Sequence, residues 1–373
     1  MSERPKFAVL GAGNGGVATA ADLTVRGFEV HLWEMPEFAS SIKSLQEAGG
    51  VDLDVLPGTG LTKGFANIKM ITTDLKMALD GVDVVMVIVP AFAHRTFAEL
   101  CAPYLQDNQV VIICPGNFGG AMSFYQIFKK KGTAKNVVFA EGECMIYACR
   151  KKSPTEIWIR GYKRGFRIAA FPAKYTDKVM NLIKEAYPDC KPGNNVIETG
   201  LSNPNMIIHT PIMTMNAALI DRTKGDFLFY HEGCTPIVGT VIEALDAERL
   251  AIGKALKTGM RSCYEQDCEW YGDQGAVGKN IYETSVNNGL YKWSKAPDSF
   301  QNRYLTEDIP YGLVAVEKLG KFVGVPTPIA TSLINLSELL VGKELRSESK
   351  SFEELGIADL SIDEIVKFVN EGE

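Results

Sequence analysis

The chain has 373 residues, long enough for two domains with cores of their own. Hydrophobic residues make up 46%, which excludes a disordered chain, and a formal net charge of −6 leaves no basic field to attract nucleic acid or an anionic membrane. An anionic substrate would have to be drawn in by local arginines or lysines.

The opening Met1-Ser-Glu-Arg-Pro-Lys6 runs into an apolar strand without a signal-type region. The longest apolar runs, residues 84–89 and 110–114, are strand-sized and far too short to span a bilayer. The expectation is a soluble, cytoplasmic protein. Its eight cysteines, with no Cys-x-x-Cys pair, then read as buried thiols.

Phe7-Ala-Val-Leu followed by Gly11-Ala-Gly13-Asn14-Gly15-Gly16 is an apolar strand breaking into the pattern Gly-x-Gly-x-x-Gly. The first glycine permits a tight turn, the second lets backbone approach a pyrophosphate, and the third lets the next helix pack close to the strand. Gly11, Gly13, Asn14 and Gly16 are therefore candidate cofactor contacts, with phosphates on the free N–H groups of the helix start. That helix ends at Gly27, and a second strand, 28–33, ends on Glu34. The carboxylate stands about 20 residues beyond the glycines, where it can accept hydrogen bonds from both hydroxyls of an adenosine ribose. Met35 and Pro36 follow instead of an arginine, so a 2′-phosphate would meet negative charge. NAD(H) is favoured, and NADP(H) stays open.

Residues 38–48 read as a helix, and 51–69, broken by Pro57, Gly58, Gly60 and Gly64, as short β pieces added to the nucleotide half. A short helix follows Asp74. Residues 82–89 form the continuous apolar strand of a parallel sheet covered on both faces. Pro90, Ala91 and His94 close its C-terminal edge, where a nicotinamide riboside would lie, and are candidate cofactor contacts. A helix over 97–104 leads to strand 110–114 and to Pro115-Gly116-Asn117-Phe118-Gly119-Gly120, whose small residues suggest close approach of a ligand at Asn117. Strands near 137–141, 158–160 and 167–171 and a helix over 175–186 complete an α/β, Rossmann-type domain.

Near Tyr187-Pro-Asp-Cys-Lys-Pro-Gly193 this alternation gives way to helical periodicity over 205–219, 236–256 and 313–340, the last broken at 324–328. The reading is a dinucleotide-binding domain over 1–190 and an all-α domain over 191–373. Ser351 with Glu354 and Ser361 with Glu364 have capping-box spacing.

Two stretches of the second domain could carry chemistry. In Asn203-Pro-Asn205-Met-Ile-Ile-His209, a helix starting near Pro204 places Asn205 and His209 on one face. Asn302-Arg303-Tyr304-Leu-Thr-Glu307-Asp308-Ile-Pro310 sets an arginine and two acids just before a helix. Glu265, Asp267, Cys268, Glu269 and Asp273 have no nearby histidine and no metal-ligand spacing, so they read as a solvated helix face and no metal is expected.

Over nearly its whole length the chain resembles the opine dehydrogenases of the octopine and nopaline type. The motifs are the glycine fingerprint, Val-Pro-Ala-Phe-Ala-His94, Cys114-Pro-Gly-Asn-Phe-Gly-Gly, Tyr147-Ala-Cys-Arg150, Asn-Pro-Asn with His209, Tyr230 to Pro236, Asp246-Ala-Glu-Arg249, and Arg303-Tyr-Leu-Thr-Glu-Asp-Ile-Pro. The resemblance implies NADH-dependent reductive condensation of an amino acid with a 2-keto acid, pyruvate being the commonest, to an N-(1-carboxyalkyl) amino acid. It implies that His209 is the acid/base, that Asp308 is its partner and that Arg303 binds substrate. Elementary chemistry agrees, since histidine exchanges protons near neutrality, a carboxylate fixes its tautomer, and a guanidinium fork matches a carboxylate. A salt bridge from Arg303 to Glu307 is the plain alternative, and Asn205 either orients substrate or nicotinamide or caps the helix. Glu141-Gly-Glu143-Cys-Met145 stands where relatives often carry a hydroxyl-bearing residue, which suggests an unusual substrate. Two rival readings are a 2-hydroxy-acid or sugar-acid dehydrogenase of the glycerol-3-phosphate or ketopantoate type, disfavoured because no lysine follows His209 until Lys224, and a non-catalytic dinucleotide sensor. Monomer and homodimer both stay open.

Overall fold

The computed structural model describes residues 4–132 and 136–372; the first three residues of the opening stretch lie outside them. The chain forms two compact units. One comprises residues 1–116, 120–196 and 369–373, and the other residues 117–119 and 197–368.

The strands of the first unit are, in chain order, β1 (Phe7–Leu10), β2 (Val30–Trp33), β3 (Gly50–Val55), β4 (Gly64–Asn67), β5 (Met70–Thr72), β6 (Val84–Val87), β7 (Val110–Ile113), β8 (Val138–Gly142), β9 (Tyr147–Ser153), β10 (Glu156–Tyr162), β11 (Arg167–Phe171) and β12 (Lys191–Pro192). Eight of them form one sheet in the order β12-β11-β8-β7-β6-β1-β2-β5. Its pairings are parallel except for β8 with β11. β1, β2, β6 and β7 are buried at every residue, and β1, β6 and β7 accordingly read as unbroken apolar runs. The order reverses at β1, so the crevice beyond the carboxyl ends of β1 and β6 is the topological switch point of the sheet.

The other four strands make a second sheet, β4-β3-β10-β9, to which residues 51–69 contribute β3 and β4. The helix Asn14–Val25 packs against both sheets. This accounts for its composition, small and apolar almost all round, because no face is left for water. Its one buried charge, Asp22, is paired with Arg26 and accepts a hydrogen bond of 2.6 Å from the Tyr147 hydroxyl, which ties β9 to the helix.

The named elements of the second unit are all helical, and the main ones are Asn205–Met215, Pro236–Ala255, Cys263–Tyr271, Ile281–Asn287, Val314–Val323 and Pro328–Val341. The periodicity expected over 205–219 breaks at Asn216, whose side chain bonds the carbonyls of Ile212 and Gly233. The acidic cluster needs correction. Glu265 is exposed and caps its own helix through Ser262, but Asp267 is buried with Cys263, Gln266, Trp270 and Tyr271, so much of this helix faces the core. Among the described residues, no helix is long and apolar enough to cross a membrane.

Candidate active site

The Asn203 side chain starts the helix that carries His209. Its Oδ1 accepts from the Asn205 backbone N–H at 3.1 Å, and its Nδ2 donates to Asn117 Oδ1 at 2.6 Å. Arg249, buried against Asp246, holds the Leu201 carbonyl just upstream, so Asp246-Ala-Glu-Arg249 is a brace for this turn. One turn into the helix, His209 is buried. Its Nδ1 lies 2.7 Å from Asp308 Oδ2 and its Nε2 2.7 Å from the Tyr230 hydroxyl.

Asp308 reaches the ring from a short π-helical turn, Ile309–Leu313. An added Cβ at Gly312 would lie 2.7 Å from the Met206 sulfur, so glycine lets this turn approach the His209 helix. Burial raises the pKa of the Asp308 carboxyl, and the neighbouring imidazole pulls it back only in part. Tyr304 stacks on the His209 ring at 3.9 Å, and Tyr291 stacks on Tyr230 at 4.1 Å. Burial likewise pushes the Tyr230 hydroxyl well above the usual range, keeping it a neutral donor. The site is thus an imidazole with both nitrogens engaged, a buried carboxylate behind it and a phenol in front. Such a set can take up and deliver a proton.

Arg303 donates through Nε to Glu307, the alternative anticipated from spacing, yet 64% of its side chain stays exposed. Glu307 therefore orients the guanidinium without covering it. Asn205 lies on the same helix as His209, one turn earlier; it is the first residue of that helix after the N-cap Pro204, and its N–H is met by the Asn203 side chain.

The dinucleotide loop is shaped as a cradle. An added Cβ at Gly16 would lie 1.7 Å from the Gly11 carbonyl oxygen, so the third glycine is required for packing, whereas at Gly13 nothing of the protein lies within 4 Å. That open space beside a helix N-terminus fits a pyrophosphate. Glu34 accepts from the backbone N–H groups of Ala12 and Met35, both at 2.8 Å, which fixes its carboxylate at the end of β2. Asn14 accepts at Oδ1 from the Lys151 N–H at 2.8 Å, so its side chain fastens the loop to β9. Lys151 itself donates from Nζ to the Ala12 carbonyl at 2.8 Å.

Pro90 and Ala91 stand just beyond β6, Ala91 buried and Pro90 half-buried. His94, expected at the cofactor, is wholly buried at the start of the helix His94–Cys101, with its ring toward Phe124. Asn117, expected at the ligand, is buried and held by Asn203. Glu141 is also wholly buried; it accepts from the Ala121 N–H at 2.8 Å and anchors the helix Gly120–Lys130, so it gives no sign of an unusual substrate. Sequence reasoning missed Tyr230 beside His209 and Lys151 beside the glycine loop. Tyr230 was visible only inside a motif, and nothing local marked Lys151.

Residues 192–341 match the family model of the NAD/NADP octopine/nopaline dehydrogenase α-helical domain, and residues 6–155 that of the NAD-dependent glycerol-3-phosphate dehydrogenase N-terminus. An opine dehydrogenase of Arthrobacter sp. (strain 1C) is 34% identical over 362 residues, covering 97% of this chain and 98% of that one. The chain belongs to the opine dehydrogenase family. It is an NAD-dependent oxidoreductase of the class acting on CH–NH donors. Octopine dehydrogenase, solved with NADH and L-arginine, shares the fold at a TM-score of 0.76 and 22% identity, covering 97% of this chain and 98% of that one. NADP+-bound yersinopine dehydrogenase shares it at a TM-score of 0.71 and 14% identity, covering 100% and 99%.

Proposed function

We propose that this opine dehydrogenase condenses the amino group of an amino acid with a 2-keto acid, pyruvate first among them, and reduces the imine to an N-(1-carboxyalkyl) amino acid. Residues 1–190 hold NADH and residues 191–373 carry the proton chemistry. The observation that carries this reading is the His209 imidazole bridged between Asp308 and Tyr230. The substrate class is supported by octopine dehydrogenase, solved with NADH and L-arginine and with NADH and pyruvate. The eight free cysteines support a reducing compartment such as the cytoplasm.

NADH, when bound, supplies the hydride that reduces the imine carbon. Gly11, Gly13, Asn14 and Gly16 would hold its pyrophosphate through backbone, Glu34 its adenosine ribose, and Pro90 and Ala91 would border its nicotinamide. The chain's own task is proton transfer. Addition of the amine to the keto carbon gives a carbinolamine, whose hydroxyl must gain a proton to leave as water. Protonated His209 provides that proton, and Asp308 stabilises the imidazolium. Because Tyr230 occupies Nε2, the proton passes through its hydroxyl: Tyr230 gives its proton outward and takes one from Nε2–H. Arg303 holds a substrate carboxylate, and Asn205 orients the bound substrate.

The test is NADH oxidation with pyruvate against a panel of amino acids, omitting each component in turn. Oxidation requiring both keto acid and amine is expected; oxidation with keto acid alone would move the protein to the hydroxy-acid dehydrogenases. In the same assay His209→Ala should lower kcat by about 10²–10⁴-fold with NADH affinity unchanged, and a fully active variant would overturn the assignment of His209.

A further inference from the structure

The absence of an arginine after Glu34 argued against a 2′-phosphate, but in three dimensions a cation reaches that place from a distant strand. Lys151 lies 139 residues beyond Ala12 in sequence and donates from Nζ to the Ala12 carbonyl at 2.8 Å. The Ala12 N–H donates in turn to Glu34 Oε2 at 2.8 Å, so a carboxylate and an ammonium are both bonded to one residue of the glycine loop. Burial lowers the pKa of the Lys151 ammonium, and the attraction of Glu34 offsets that only in part. Two more bonds hold β9 in place there: the Lys151 N–H to Asn14 Oδ1 at 2.8 Å and the Cys149 thiol to the Asn14 carbonyl at 3.4 Å. Lys151 is half-buried, and its ammonium has three donors, of which Ala12 takes one.

We propose that Lys151 is the cationic half of the adenosine-ribose pocket: it offsets Glu34 and pairs with a 2′-phosphate, so that this chain binds NADPH as well as NADH. Glu34 serves the 2′-hydroxyl of NADH, and the ammonium serves the phosphate of NADPH. A pocket with only the carboxylate would reject the phosphate by like-charge repulsion.

The experiment is equilibrium binding of NADH and NADPH, read by cofactor fluorescence, to the wild type, Lys151→Gln, Lys151→Arg and Glu34→Gln. Glutamine removes the charge and keeps a side-chain N–H donor, one bond shorter than the lysine's. Loss of a charge-assisted hydrogen bond should weaken NADPH by about tenfold or more, with NADH changed by less than about threefold. Lys151→Arg should retain NADPH binding, and Glu34→Gln should tighten NADPH while weakening NADH. Equal loss for both cofactors in Lys151→Gln would show that Lys151 only ties the loop or meets the shared pyrophosphate, and would overturn the proposal. So would wild-type protein that binds no NADPH. If Lys151→Gln does not fold, the wild type still decides: NADPH affinity must fall more steeply with salt than NADH affinity, and equal slopes overturn the inference.

Discussion

Burying the Asp308 carboxyl beside His209 raises its pKa, so the fold favours its protonated form. The stability this group contributes is then fully present below the ordinary aspartate value, about 3.9, and is lost as pH rises through the raised value. Above the raised value the carboxyl is ionised and costs stability. Asp308→Asn should therefore melt at or above the wild-type temperature at pH 7, with the advantage shrinking as pH falls toward about 4. Its kcat should be lower by about 10³-fold or more, because an amide does not hold the required tautomer or stabilise the imidazolium. Thermal melts and steady-state rates over the same pH series check both halves, and a lower melting temperature at pH 7 would mean that the attraction to His209 outweighs desolvation. Tyr230→Phe removes the hydroxyl on Nε2 and leaves a ring that can stack on Tyr291. Its kcat should fall about 10–100-fold with NADH affinity unchanged, and an unchanged kcat would remove Tyr230 from the proton path. The His209 and Asp308 pair is legible in the sequence because each sits in a dense motif with the right chemistry. Tyr230 reaches the ring across 21 residues and Lys151 reaches Ala12 across 139, distances over which no local pattern reports a hydrogen bond.

The turn from β1 into the helix Asn14–Val25 separates two uses of glycine. At Gly16 an added Cβ would meet the Gly11 carbonyl oxygen at 1.7 Å, and backbone there cannot yield. Gly16→Ala should cost about 3 kcal/mol or more, or prevent folding. At Gly13 the φ of −70° suits any residue and no protein atom lies within 4 Å, so Gly13→Ala should melt within about 2 °C of wild type. The methyl group would nevertheless fill the space a pyrophosphate needs, and NADH should bind about tenfold more weakly or worse. Melting curves with NADH titrations decide the matter: a Gly13→Ala protein that binds NADH normally would show that the open space is not the cofactor's. The same contrast explains which elements could be read. β1, β6 and β7 are buried on both faces and so appear as unbroken apolar runs, whereas β9 carries Arg150, Lys151 and Lys152 along a partly exposed strand and shows no such run. The polar composition of the helix Cys263–Tyr271 reads as a solvated face and hides its buried side, Cys263, Gln266, Asp267, Trp270 and Tyr271, although Ser262 and Glu265 form a capping box that announces its start.

Across the whole molecule, thiols report which unit opens. All eight cysteines are free, six are buried, and Cys149 and Cys268 are half-buried. Burial pushes Cys101 up to about 12 and Cys149 to about 11, and raises Cys268 as well, so little thiolate forms at pH 8 even where reagent can enter. Native protein should therefore react slowly, at Cys268 and Cys149 first, while buried thiols react only through opening. Cys101, Cys114, Cys144 and Cys190 belong to the unit that carries the glycine loop, and Cys234 and Cys263 to the helical unit. NADH at 100 times its Kd stabilises the form that binds it by about 2.7 kcal/mol, so labelling that requires this unit to open should slow by about 100-fold. Peptide-level mass spectrometry of iodoacetamide labelling, with and without NADH, measures each site separately. Slowing at Cys101, Cys114, Cys144 and Cys190 is expected. Labelling of these four at an unchanged rate would mean that NADH is not held by the loop that Gly11, Gly13 and Gly16 build, whatever the enzyme's turnover.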